Sequence, residues 1–166
     1  MKRILWLSGI FVLGTFILGI SYYYYVWNEH GDEQNKSIAY AKNNYEISDV
    51  IEANHYYGSY GAFDVISSTV NGKKTFIFVP LDKKGESVSI NAEDGWSKQK
   101  VSQYVQQELQ PDHLISINLG LEKYKETSSF TPVWEIVYKN KGNQYTFHYI
   151  RFDDGTFFKT YKMKQS

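Results

Sequence analysis

Asn71-Gly72 stands between two runs rich in β-branched and aromatic residues, Phe63 to Val70 and Lys73 to Leu81. Both positions of a two-residue hairpin turn must accept positive φ, which Asn and Gly do at little cost, so the spacing predicts an antiparallel hairpin. A strand on each side extends it: Val50 to Tyr57, ahead of Gly58-Ser59-Tyr60-Gly61, and Ser87 to Ile90, after Asp82-Lys83-Lys84-Gly85. Pro80 has no N–H to give to a ladder, so it marks a strand end or an edge. Before these strands, Ile38, Ala41 and Tyr45 recur at spacings of three and four, which makes Asp32 to Tyr45 a weakly amphipathic helix.

The same order of elements then recurs. Ser97 is placed to cap a helix running to Leu109, in which Val101, Tyr104, Val105 and Leu109 form one apolar stripe and which Pro111 ends. Four strands follow, Leu114 to Leu121, Val133 to Tyr138, Gln144 to Phe152 and Thr156 to Met163, with tight turns at Lys141-Gly142-Asn143 and Asp153-Asp154-Gly155. In the third of these, apolar residues occupy odd positions at Tyr145, Phe147 and Tyr149 and then shift to Ile150 and Phe152, the mark of a β-bulge or of burial on both faces. The pattern therefore specifies an α+β fold of two tandem units, residues 28–92 and 93–166, each a helix packed on a four-stranded antiparallel sheet. A sheet with an apolar face must cover it, so the two units are expected to share a core. The repeat is one of architecture and not of residue identity.

Residues Ile4 to Trp27 contain no charged side chain and follow Lys2 and Arg3 directly. As a helix, such a run reaches about 30 Å, enough to cross the hydrocarbon core of a bilayer. Tyr22 to Tyr25 and Trp27 read as an aromatic belt, because amphipathic rings favour the headgroup level. Gly19-Ile20-Ser21, followed by four tyrosines, is a poor cleavage site, so residues 1–27 are expected to be an uncleaved single-pass membrane anchor. The basic start places the amino terminus in the cytoplasm and everything after about Asn28 outside it. Gly9, Gly14 and Gly19 recur every five residues and so do not share the face that helix pairing needs.

Composition narrows the function. The chain holds 18 basic and 18 acidic residues, and Lys2 and Arg3 precede the anchor, so the outer part carries 16 against 18. No basic surface selects nucleic acid. With no cysteine there is neither a disulfide, a thiol nucleophile nor a Cys-based zinc site. His30, His55, His113 and His148 are too far apart for a ligand pair, and each is expected to be a partly exposed strand or loop residue. Glu93-Asp94 and Asp153-Asp154 point apart and read as turn residues, Asp153 or Asp154 bonding its own backbone ahead of Gly155. No catalytic, cofactor or metal site and no small-molecule substrate is indicated. Tyr56, Tyr57, Tyr60 and Phe63 around two glycines divide between core packing and an interface, and Trp96 between a helix staple and an interface; Tyr57, Tyr60 and Trp96 are the partner-binding candidates.

Ile47-Ser48-Asp49-Val50-Ile51-Glu52-Ala53, the hairpin end Phe76-Ile77-Phe78-Val79-Pro80, Val133-Trp134-Glu135-Ile136-Val137-Tyr138, Gln144-Tyr145-Thr146-Phe147-His148-Tyr149 and Phe152-Asp153-Asp154-Gly155 follow a basic start, one apolar span and a polar helix. In order and spacing this resembles the TseB-like (YpmB-type) cell-wall elongation regulators of Gram-positive bacteria. The resemblance implies tandem cystatin-like (PepSY-like) domains and a non-enzymatic role. It also implies a class B penicillin-binding protein, a transpeptidase of side-wall peptidoglycan synthesis, as partner. An alternative it leaves open is a PepSY-type inhibitor of an extracytoplasmic or membrane peptidase. The Q-x-V-x-G signature of cystatins that inhibit cysteine proteases is absent.

Overall fold

The computed structural model describes the backbone of residues 2–82, 85–140 and 142–163, and the side chains of all of these except 2–12 and 24–32. The chain divides into residues 1–36 and a compact unit, 37–166. Helix α1 runs from Lys2 to Asn44 over 43 residues, so the apolar run and the polar segment after it are one helix with no break at Asn28. Within the first unit Leu13, Phe16, Ile17 and Leu18 are exposed. Among the described residues no helix is long and apolar enough to cross a membrane. The expected anchor over 1–27 includes 1–12 and 24–27, whose side chains lie outside the described residues.

The compact unit holds two four-stranded antiparallel sheets, each ordered as the chain is. The first contains β1 (Ile47–Gly58), β2 (Gly61–Val70), β3 (Lys73–Pro80) and β4 (Val88–Asn91). The second contains β5 (His113–Glu122), β6 (Thr131–Lys139), β7 (Tyr145–Arg151) and β8 (Phe157–Met163). Asn71 and Gly72 turn the β2–β3 hairpin with φ of 50° and 76°, the left-handed pair their identity predicted. Of the other expected turns, Lys83, Lys84 and Lys141 lie outside the described residues.

Helix α2 (Lys98–Tyr104) starts as expected: the Ser97 hydroxyl accepts the Lys100 N–H at 3.2 Å. Its last turn widens into a π-helical turn, Val105–Leu109, closed by Gln110 at φ 43°. The register of β7 against β8 slips between Tyr149 and Ile150, the irregularity that the change of phase foretold.

Alternation in β2 and β3 sends side chains to both sides of the first sheet, and both sides are apolar. On one, Ile66, Ile77 and Val79 pack with Ala41 near the end of α1. On the other, Tyr56, Phe63, Val65 and Phe78 join Val101 and Val105 of α2 and, from the second sheet, Leu119, Leu121, Ile136 and Ile150 in one cluster. The two sheets thus share a core. Ile66, Ile77, Phe78, Ile136 and Ile150 are wholly buried, each stabilising the fold by about 1.5–3 kcal/mol.

Candidate functional site: a polar seam on the second sheet

β5 gives Ile117, Leu119 and Leu121 to the core, and the alternate residues Asn118, Gly120 and Glu122 must face the other way. Gly120 lies against the Tyr56 ring: a Cβ there would stand 2.2 Å from Cζ of the tyrosine. Only glycine lets a ring from the first sheet rest on the backbone of the second. The Tyr56 hydroxyl thereby reaches Glu122 and donates to Oε1 at 2.9 Å, as does the Ser59 N–H at 2.9 Å. From β8, Lys159 Nζ donates to Glu122 Oε2 at 2.6 Å and to the Ser59 hydroxyl at 3.3 Å. The Glu122 side chain is 0% exposed and that of Lys159 11%. A buried carboxylate is tolerable only when both oxygens are answered, and here they are.

The register lines up a second polar row. Asn118 pairs with Glu135, Glu135 with Tyr149 and Tyr149 with Lys159, so the four residues cross the sheet from β5 to β8. The Tyr149 hydroxyl donates to Glu135 Oε2 at 2.7 Å, and Lys159 Nζ lies 4.9 Å from the centre of the Tyr149 ring and 5.2 Å from that of Tyr161. Burial raises the Glu135 carboxyl above its ordinary range, and hydrogen bonds from Tyr149 and Asn118 pull it part of the way back. Burial raises the Tyr56 and Tyr149 phenols as well, helped by the adjacent carboxylates, so both stay protonated donors at any physiological pH.

The groups of this seam mainly answer one another. Open to solvent beside it are Tyr60, 40% exposed with its ring centre 5.8 Å from Lys159 Nζ, and Tyr161 at 49%. Tyr57, 71% exposed, follows Tyr56 on β1 and so faces the other way, its ring 6.2 Å from that of His55. The tyrosine cluster expected from sequence therefore divides, with Tyr56 and Phe63 in the core and Tyr57 and Tyr60 outside it. Trp96 has a different set of neighbours: its N–H donates to the Phe152 carbonyl at 2.7 Å, its carbonyl accepts the Trp134 Nε1–H at 2.9 Å, and its ring meets Tyr104 edge-on at 6.0 Å. That ring also covers Gly155, where φ is 73° and a Cβ would stand 2.2 Å away.

His148 corrects an expectation. It is buried, at 9% exposure, and not a partly exposed strand residue. Its chain neighbours do face the other side of the sheet, but α2 supplies the cover: Tyr104 stacks on the imidazole at 6.2 Å, its hydroxyl 3.2 Å from Nε2. Burial lowers the His148 pKa. His55 is half-buried and paired with the wholly buried Asp64, Nδ1 to Oδ1 at 2.5 Å, between directly opposed residues of β1 and β2. Asp153 and Asp154 make the expected turn, Asp154 Oδ1 accepting the Thr156 N–H at 2.9 Å. Among the described residues no group of three or more His, Asp or Glu side chains is placed to hold a metal ion.

Glu122, Lys159, Ser59, Glu135 and Tyr149 were not singled out from the sequence. Glu122 and Lys159 lie 37 residues apart, and only the folded second sheet brings them together.

The fold defines a class: tandem α+β units, each helix leading into its own four antiparallel strands and both sheets feeding one core. No family model matches the chain. Over 151 residues it is 24% identical to the Probable cell wall elongation regulator TseB of Bacillus subtilis (strain 168), an alignment covering 91% of this chain and 90% of that protein. Among solved structures, the YpmB protein from Bacillus subtilis superposes with a TM-score of 0.66 at 24% identity, covering 78% of this chain and 97% of that one. Over nearly its whole length the chain is similar to TseB, and its fold is similar to that of YpmB.

Proposed function

We propose that this chain is a non-enzymatic regulator of cell wall elongation, held at the outer face of the cytoplasmic membrane by its first 27 residues, that binds and modulates a class B penicillin-binding protein. The observation that carries the reading is likeness along nearly the whole length of a relative named as a cell wall elongation regulator. Two features support it. The uncharged run behind Lys2 and Arg3 suits a single span with the carboxyl-terminal units outside. The chemistry-bearing groups of the seam are engaged with each other, while aromatic residues suited to anchoring a partner, Tyr57 and Tyr60, stand free of the core.

Co-purification of the full chain from crosslinked membranes tests the proposal. A class B transpeptidase is expected in the recovered complex, and recovery with no peptidoglycan enzyme at all overturns it.

A further inference from the structure

A groove of about 190 Å³ opens between the first sheet and the second, apart from the Glu122–Lys159 pair. Val65, Phe76, Ile117 and Leu119 supply its apolar lining, and Ser67 lines it too. Lys74 and Lys98 stand at its rim. Three observations together limit what it can take.

The first is size. Small-molecule sites span about 300–1,000 Å³, whereas an apolar cavity of about 150 Å³ is enough for benzene. This groove suits one aromatic side chain and little more. The second is an unsatisfied group. Ser67 is 7% exposed and its hydroxyl has no hydrogen-bond partner, which points to an occupant with a polar tip. The third is charge. Lys74 and Lys98 are exposed, and among the described residues neither lies in an ion pair. The acidic residue of the lining, Glu52, accepts a hydrogen bond from Asn54 Nδ2 at 2.8 Å.

We propose that this groove receives a tyrosine side chain from an extended acidic segment of a partner protein, the ring resting among Val65, Phe76, Ile117 and Leu119, the phenol bonded to Ser67, and the flanking carboxylates paired with Lys74 and Lys98. The inference rests on reading the chain as a binding protein and adds where and what it binds.

The test is methyl NMR on the full chain, labelled at Ile, Leu and Val and titrated with the blocked tripeptide acetyl-Asp-Tyr-Asp-amide. Saturable shifts of the Val65, Ile117 and Leu119 methyls are expected. They should weaken about tenfold with acetyl-Asp-Ala-Asp-amide, with acetyl-Lys-Tyr-Lys-amide, and in a Lys74→Glu/Lys98→Glu variant, whose exposed substitutions leave the core intact. No response at millimolar peptide overturns the proposal, and so does an equal response to either control peptide, to N-acetyltyrosine alone, or in the double variant. Partner capture by the same variant separates the two readings: a transpeptidase still recovered with Lys74→Glu/Lys98→Glu removes the groove and leaves the regulator.

Discussion

The two sheets bury charge in different ways. The first is apolar on both faces, and the acid it buries, Asp64, is answered by a single neighbour, the half-buried His55. The second is apolar on one face and carries on the other Glu122, Glu135, Tyr149 and Lys159, joined to Tyr56 of the first sheet and to Ser59 in its β1–β2 turn. One sheet behaves as a filler between layers, the other as a platform. The contrast teaches that the tandem is not symmetric in use: the second copy carries the ordered polar groups, and the first lends it a tyrosine and a turn.

Removing packing from the first sheet should have the largest effect. Phe78→Ala is expected to cost about 3–5 kcal/mol in urea unfolding, because the ring is wholly buried where both sheets meet. Lys159→Ala should cost about as much, roughly 3–5 kcal/mol, by leaving the Glu122 carboxylate buried without its cation. The sharper measurement is the pair: Glu122→Gln with Lys159→Met should recover most of that loss, since no charge is then stranded and the amide oxygen can still accept from Tyr56 and Ser59. A double variant no more stable than Lys159→Ala would break the contrast.

His55→Ala strands Asp64 in the first sheet and should cost about 2–3 kcal/mol. A cost as large as that of Lys159→Ala would mean that the two sheets do not differ in how they hold buried charge. Ser97→Ala removes one helix cap and should cost about 1 kcal/mol.

The smallest effects are those of pH, and they run in opposite directions. Burial raises the Glu135 carboxyl above its ordinary value of 4.5, so its contribution is complete below that pH and is lost as pH rises through the folded value. Glu135→Gln should therefore stabilise the protein more at pH 7 than at pH 4. Burial lowers the His148 imidazole below 6.5, so its contribution is complete above that pH and is lost as pH falls through the folded value. His148→Phe should flatten that acid limb. Thermal unfolding across pH 4 to 8 reads both.

Much of the architecture was legible because its signals are local. A turn such as Asn71-Gly72 requires φ values that few residues accept, and a cap such as Ser97 acts within one helical turn. The seam was not legible because its pairs are distant in sequence: Tyr56 meets Glu122 across 66 residues, and nothing near Gly120 announces that a ring from another strand will lie on it. His148 was misjudged for the same reason, its cover coming from Tyr104, 44 residues earlier. Tyr57 and Tyr60 were found as a cluster with Tyr56 and Phe63, but which of the four turn inward is decided by how the first sheet meets the second.

Site-specific photocrosslinking in growing cells tests the central claim most directly. A crosslinkable residue is placed in turn at Tyr57, at Tyr60 and, as the contrasting position, at Trp96, which is clasped by Phe152 and Trp134. Adducts to a class B penicillin-binding protein from Tyr57 and Tyr60, made outside the cytoplasmic membrane, are the predicted result. Adducts confined to cytoplasmic proteins, or none to any enzyme of peptidoglycan synthesis, would contradict it.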